Sequence, residues 1–481
     1  SLTLTSTDPF VSVLDGSSLV GDIGENRIAT PSADPLAILI QPDVPEDHLV
    51  TLKIGISSAG AGIVATDSIL VHLNPLLGPS QHLVKRTDAT NYMYVHVLPM
   101  SGGQMALFYG SNGFVENQTY AMIGSPSSGW TAPERISDAP EIAGARENVE
   151  VRDGGGRIHV VFTGGAYEAW EAEIFHTSRD PGKGTWSTPV QLTAGAEILE
   201  PTIYGLYAPK TMAMDAANRV VLVWADYRYG APEFYCKIYD GSGWSAEAII
   251  ATPPAPPTSM ALEFDSVGRG YLLWNQEQDN SIYMSTMIGS TWSAPSMVTP
   301  MSSNVSVAMT MDSHDNLHLA YSGPNADDVS YRSYDGAVWS EPTLLMAGTL
   351  MTGAPILIGS SADGTLHVAR KGGRAWPADS AYQFYETVYD GASWSAVKPL
   401  TFARVGVSGF VPDLAFDETG AYLLAGRLDT DGSTAVSPYT DIFFVTSDRD
   451  ATLLPSLPVV TDHGTNTPDS LKLNASWSST H

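Results

Sequence analysis

The sequence predicts an all-β chain assembled from one repeated four-stranded antiparallel unit. Three observations carry this. A phrase ending in Trp-Ser recurs as YDGSGWSAEAII (239–250), YDGAVWSEPTLL (334–345) and YDGASWSAVKPLTF (389–402), with looser copies at 127–137, 182–193 and 289–299. Its tryptophans, Trp130, Trp186, Trp244, Trp292, Trp339 and Trp394, lie 47 to 58 residues apart. A second phrase, a tight turn followed by an apolar strand, alternates with it: RDGGGRIHVVF (152–162), DAANRVVLVW (215–224), DSVGRGYLLW (265–274), DSHDNLHLAY (312–321), SADGTLHVAR (361–370) and DETGAYLLAG (417–426). Helical periodicity is absent almost throughout. A phrase that recurs six times marks a structural unit, since a catalyst needs a single site.

Residues 1–75 do not match the repeat. Their apolar segments LAILIQP (36–42), HLVTLKIGI (48–56) and SILVHL (68–73) predict a small N-terminal β appendage. From 76 to 461 each unit reads as strand A, a D-x-x-G turn, strand B, a variable loop, strand C, a D-G turn, and strand D with W-S-x-P. Asp caps its own turn and Gly accepts positive φ, which suits both turns. Four antiparallel strands per roughly 50 residues is the blade of a β-propeller. Counting blades predicts seven. The last has strand C at DIFFVTS (441–447), and its fourth strand is either ATLLPSLPVVT (451–461) or an N-terminal strand near GPSQHLV (78–84). Residues 462–481, rich in Thr, Ser and Asn, predict a flexible tail.

Composition narrows the function classes. Net charge is −28, from 24 Lys+Arg against 52 Asp+Glu. Such a surface repels nucleic acid and anionic membrane. No apolar run approaches the length of a spanning helix, so no membrane insertion is expected. The single cysteine, Cys236, excludes an intrachain disulfide and reads as a small side chain on a strand. The chain starts at Ser1 without Met, and a removed signal peptide would fit this, so a secreted or cell-surface location is expected.

The alternation of D-x-x-G-x-[IL]-H-[LV]-x-[FYW] with Y-D-G-x-x-W-S resembles the BNR-like repeats of the sialidase-type propeller superfamily, over roughly residues 87–450. Sialidases of that superfamily use an arginine triad, a Tyr–Glu nucleophile pair and an Asp acid, with an early Phe-Arg-Ile-Pro stretch. This chain has neither Phe-Arg-Ile-Pro nor the strict S-x-D-x-G-x-x-W box. Similar propellers serve as polysaccharide lyases and glycan-binding lectins. The resemblance therefore implies the fold and a glycan, not one chemistry.

Topology selects a working end. The A–B and C–D turns share one end of the blades and are the repeated ones. The B–C loops share the other and vary, and variable loops on a rigid scaffold are where sites are built. These loops are rich in Tyr, Trp, Arg, Asp and Glu, a mix that suits sugars through ring stacking and hydrogen bonds. Arg370, Lys371 and Arg374 gather three of the scarce cations before Trp376, and Arg228 and Arg427 sit on sibling loops. A cation cluster in an acidic chain predicts an anionic ligand such as a uronate, sulfate or carboxylate. Tyr227 and Trp170 complete the candidate binding set. Surface ion pairing, for instance of these cations with Asp226, Asp379 or Asp429, is the competing structural account.

Catalytic candidates are fewer. His159, His318 and His367 occupy one register position of strand B, which predicts a structural role. His176 and His96 fall outside that register and are candidate bases. Glu168 and Glu171 flank Trp170 and can form an acid/base pair. A lyase would need Arg370 and Arg374 on the uronate with Tyr227 or His176 moving the proton. DTDGS (429–433) has the look of a calcium loop but lacks the later EF-hand ligands, so no cofactor is expected. The sequence thus predicts a glycan-binding or adhesion propeller for an acidic carbohydrate. A polysaccharide lyase or glycosidase is the alternative, and a protein-assembly platform the second.

Overall fold

We obtained a computed structural model of the chain. It describes residues 1–19, 36–40, 48–58, 62–73, 80–85, 91–112, 118–125, 129–139, 142, 145–164, 173–195, 209–255, 257–276, 278–301, 307–323, 325, 328–347, 356–361, 363–373, 382–399, 413–416, 422–429 and 440–446. The chain divides into two compact units, and the second spans Gln81–Ser447.

The first unit, which holds Ser1–Ser80, is a small β structure. Leu2–Thr5 pairs antiparallel with both Ser17–Ser18 and His48–Ser58, and the latter pairs with Gly62–Leu73. Leu2, Leu4, Val11, Val50, Leu52 and Ile54 form its core. Alternation explains it: Leu2 and Leu4 are buried while Thr3 and Thr5 are exposed, as a half-covered strand requires.

Among the described residues the second unit carries seven sheets of four or five strands. Sheet 1 runs Asn91–Pro99, Met105–Asn112 and Gln118–Ser125, then Gly129–Trp130 and Glu134–Arg135. Sheet 2 is Ala145–Arg152, Ile158–Gly164, Glu173–Arg179 and Val190–Gln191. Sheet 3 is Lys210–Met214, Val220–Asp226, Glu233–Tyr239 and Ala248–Ala251. Sheet 4 is Met260–Phe264, Gly270–Gln276 and Ser281–Ile288, with Thr291–Trp292 and Ser296–Pro300. Sheet 5 is Val307–Met311, Leu317–Ser322, Val329–Tyr334 and Thr343–Met346, and sheet 6 is Ile356–Ser360, Leu366–Gly373, Tyr382–Tyr389 and Lys398–Pro399. Sheet 7 is Asp413–Phe416, Tyr422–Asp429 and Thr440–Thr446, completed by Ser80–Lys85. The N-terminal strand is thus the one that pairs here; the alternative at 451–461 and the expected tail at 462–481 lie outside the described residues. First strands of successive sheets touch in order, and that of sheet 7 touches that of sheet 1. Among the described residues there is no α-helix, and no helix is long and apolar enough to cross a membrane.

The repeated phrases have local physical causes. In sheets 2 to 5 the turn aspartate accepts the amide four residues on: Arg157 N to Asp153 (2.8 Å), Arg219 N to Asp215 (2.8 Å), Arg269 N to Asp265 (2.6 Å) and Asn316 N to Asp312 (2.8 Å). The turn then needs a left-handed residue, which is Gly156, Gly268 and Gly364, but Asn218 (φ 61) and Asp315 (φ 63) in sheets 3 and 5. Those two side chains are used. Asn218 accepts from Gly154 N (2.5 Å) and Asp315 from Ser266 N (2.7 Å), each linking its turn to the turn of the preceding sheet.

Trp-Ser does two jobs. The hydroxyl after each tryptophan accepts a strand C amide: Thr131 from Ile123 (3.0 Å), Ser187 from Ser178 (3.0 Å), Ser245 from Ile238 (3.1 Å), Ser293 from Thr286 (3.0 Å), Ser340 from Ser333 (2.9 Å) and Ser395 from Val388 (3.0 Å). The tryptophans pair with equivalent strand C positions and are all half-buried. Several cover a neighbouring sheet: Trp186 lies edge-on to Phe108 (5.9 Å), Trp244 to His176 (5.1 Å) and Trp394 to Tyr331 (4.9 Å).

Candidate functional site

The strand B histidines are cross-strand partners inside sheets. His318 Nδ1 lies 2.7 Å from the Tyr331 hydroxyl, and His367 Nδ1 donates to Glu386 Oε1 at 2.6 Å. In sheet 2 the chain is longer. Trp244 Nε1 donates to His176 Nδ1 (3.2 Å), His176 Nε2 faces His159 Nδ1 (3.1 Å), and His159 Nε2 faces Asp153 Oδ2 (3.5 Å). This order assigns the tautomers: His176 keeps its proton on Nε2 and His159 on its own Nε2, directed at the carboxylate. Burial, then the neighbouring His159 and Arg157, push the His176 pKa down to about 3. His176 is therefore a neutral packing residue between sheets, and the expectation of a general base finds it enclosed, with both nitrogens engaged. His96 is likewise placed in structure, 3.3 Å from Glu150, a residue of sheet 2.

Cys236 sits at the register position of His176, facing Val223 as His176 faces Val161. Burial pushes its thiol up to about 12, so it is a packing residue, as its place on a strand suggested.

The two ends of the sheets differ in chemistry. A cavity of about 350 Å³ opens at the A–B and C–D end, lined by Arg219, Asp240, Ser242, Trp244, Ser245 and Ser290 among others. Its polar groups are engaged in the scaffold. Asp240 accepts from Ser242 N (2.9 Å) and Gly243 N (3.1 Å), while Arg219 donates to Asp215 (2.7 Å) and to Gly289 O (3.0 Å).

At the other end, register brings unlike residues to one position. Tyr109, Phe162, Trp224 and Trp274 each stack on the strand C residue opposite, Tyr120, Phe175, Tyr235 and Tyr283, with ring centroids 5.6, 6.1, 5.6 and 6.0 Å apart. Sheet 5 has Tyr321 there, and sheet 6 has Arg370, opposite Tyr385. Arg370 replaces an aromatic ring and is fully buried (0% exposed), its Nη1 donating to the Asp328 carbonyl of sheet 5 at 3.0 Å. The expected direct ligand contact is thus not what its position offers: Arg370 lies beneath the surface and ties the sheet 5 loop to sheet 6. Lys371 and Arg427 lie on strands of sheets 6 and 7 at this end. Arg374, Trp376, Trp170, Glu168, Glu171 and most of DTDGS lie outside the described residues.

The sheet 3 loop is described in full. Arg228 donates from Nε and Nη2 to Asp226 Oδ2 (2.9 and 2.5 Å) and from Nη1 to Glu247 (3.0 Å), and its guanidinium lies 4.5 Å over the Tyr235 ring. Burial opposes its charge, but Asp226 and Glu247 outweigh that and hold its pKa above the ordinary arginine value. Tyr235 in turn donates to Glu233 (2.6 Å). Tyr227 is half-buried against the sheet 3 core. Ion pairing, the competing structural account, is what the geometry shows for Arg228. The sequence reading named Asp226 as a partner and missed Glu247; the signal was an acid two residues after Ser245 in the repeated phrase.

Glu263 was also missed. It occupies a first-strand position held by Val151, Ala213 and Thr310 in sheets 2, 3 and 5. Burial pushes its carboxyl up to about 7. Among the described residues no group of three metal-ligating side chains occurs.

No protein-family model matches the chain, and no curated protein matches it. Among solved structures it is similar to NanB sialidase of Streptococcus pneumoniae (9% identity, TM-score 0.44, covering 90% of this chain and 85% of that one). It is also similar to a polysaccharide lyase, an ulvan lyase bound to -[GlcA(1-4)Rha3S]- (12%, 0.43, 70% and 89%). A third is the Aleuria aurantia lectin in complex with α-methyl-L-fucoside (13%, 0.41, 66% and 98%). No residue role in this chain is taken from them.

Proposed function

We propose that the chain is a seven-bladed β-propeller with BNR-like repeats of the sialidase type, secreted or displayed at a cell surface, that binds an acidic carbohydrate at its B–C end. The cyclic contact of the seven first strands supports the blade count. Pairing of Ser80–Lys85 with the last sheet supports ring closure. One observation carries the functional reading: the two ends of the same strands differ in variety. The turn end repeats a few self-contained hydrogen-bond patterns. Among the described residues the B–C end carries stacked rings, carboxylates and an enclosed arginine, in combinations that differ between sheets. A rigid scaffold with one varied end is built for recognition. Binding rather than catalysis is proposed because His176, one of the candidate bases, is enclosed with both ring nitrogens already hydrogen-bonded.

A glycan array of uronate-, sulfate- and sialate-bearing oligosaccharides tests it, run beside an absorbance assay for unsaturated uronate. Saturable binding with flat absorbance is expected. Growing absorbance would convert the reading to a lyase, and an array without any acidic hit would end it.

A further inference from the structure

We propose that Tyr229, at the tip of the sheet 3 B–C loop, is a sugar-stacking platform that contacts the uncharged C–H face of a pyranose. The inference rests on the carbohydrate reading above and names how that end divides its work.

Tyr229 is 74% exposed, the phenol ring standing in solvent. The loop beneath it is tightly held. Gly230, at φ 77, donates its amide to the Tyr227 carbonyl (2.7 Å) and closes the turn over Tyr229. On the N-terminal side, the Arg228 amide donates to Asp226 Oδ1 (2.9 Å), and the Arg228 side chain is clamped by Asp226 and Glu247. In the same sheet Trp224 stacks on Tyr235, and the Arg228 guanidinium lies 4.5 Å over the Tyr235 ring. An exposed ring on a preformed loop gives up little conformational freedom on binding. Pyranoses present an apolar C–H face to such a ring, and tyrosine supplies large contact area from few rotatable bonds.

The charges around it define the class further. Arg228 is neutralised by two carboxylates, so this loop offers no free cation to an acidic group. An acidic glycan would meet its uncharged ring face here, and its anionic group would be held elsewhere. The Tyr229 contribution is therefore insensitive to salt, whereas that of a cation is screened.

The test prints uronate- and sulfate-bearing oligosaccharides beside their methyl-esterified and desulfated forms. Wild type, Tyr229→Phe and Tyr229→Ala are titrated against them at low and moderate ionic strength. Tyr229→Ala should lose roughly tenfold in affinity at both salt concentrations and for charged and neutralised forms alike. Tyr229→Phe should stay within about twofold, because the ring is retained. The melting temperature of both variants should match wild type, since the side chain is exposed. Unchanged affinity of Tyr229→Ala, or a loss that vanishes with added salt, overturns the stacking role while the carbohydrate reading stands. Wild type that binds nothing on the array overturns both.

Discussion

At the A–B and C–D end, the contacts that repeat from sheet to sheet have partners near in sequence, while single links such as Asn218 to Gly154 join neighbouring turns. Asp153 caps an amide four residues on, Asp240 one two residues on, and Ser245 one seven residues back. At the B–C end of the same strands, local pairs such as Arg228 with Asp226 are joined by partners from afar. Arg228 finds Glu247 nineteen residues away, Asn275 accepts from the Thr258 and Ser259 amides, and Arg370 reaches Asp328 forty-two residues back, in another sheet. A self-contained turn can be copied between repeats without regard to its neighbours, so it recurs. A long-range pair depends on what each loop places opposite it, so it varies. That difference separates scaffold from candidate site.

Perturbing each region should therefore give different readouts, from the largest stability effect to the smallest. Trp244→Ala removes the ring over His176 and Tyr239 and leaves the His176 nitrogen without its donor. A loss of about 3 kcal/mol is expected by chemical denaturation, at the low end for a large aromatic because Trp244 is only half-buried. Array binding should be unchanged while the protein is folded. A binding change without a stability change would break the contrast between the ends.

Glu263 concerns the inner strand. Its folded pKa is raised from 4.5 to about 7, so the folded state keeps a proton that the unfolded chain releases. Stability should fall as pH rises from 4.5 through 7 and level off above. Glu263→Gln should flatten that slope and stabilise the protein by about 3 kcal/mol above pH 7, with little change below pH 4.5. Denaturation midpoints across pH would show this, and a mutant with the wild-type slope would refute it.

Ser245→Ala deletes one hydroxyl acceptor and should cost about 1 kcal/mol, read by the same denaturation. The equivalent change at Ser340 should cost the same within error; unequal costs would mean the repeats are not interchangeable. Asn218→Gly relaxes a left-handed residue but severs its link to Gly154. These oppose, and a net loss of about 0.5 kcal/mol is expected. Tyr229→Ala should change stability least and binding most, the reverse of Trp244→Ala.

Much of the scaffold was legible in the chain. Alternation, Asp-Gly turns and Trp-Ser phrases report backbone geometry within a few residues, so strand order and turn chemistry follow from them. Even the structural role of His159, His318 and His367 was visible, because residues at one register position share one environment. Sequence alone also located the varied end, since loop composition is local information.

Only the tertiary structure decided the rest. Two segments were equal candidates for the last strand, and pairing chose Ser80–Lys85, a choice between edges that no local pattern encodes. Arg228 and Arg370 looked like sibling ligand contacts. The fold pairs one with Asp226 and Glu247 and encloses the other where its sibling sheets hold aromatic rings. A cation's availability depends on which carboxylates and carbonyls the fold brings within about 3 Å of it, and on how much water is excluded. Spacing along the chain does not contain those distances. Tyr229 shows the same logic in reverse: its composition is ordinary, and only the clamped loop beneath it and the solvent around it mark it out.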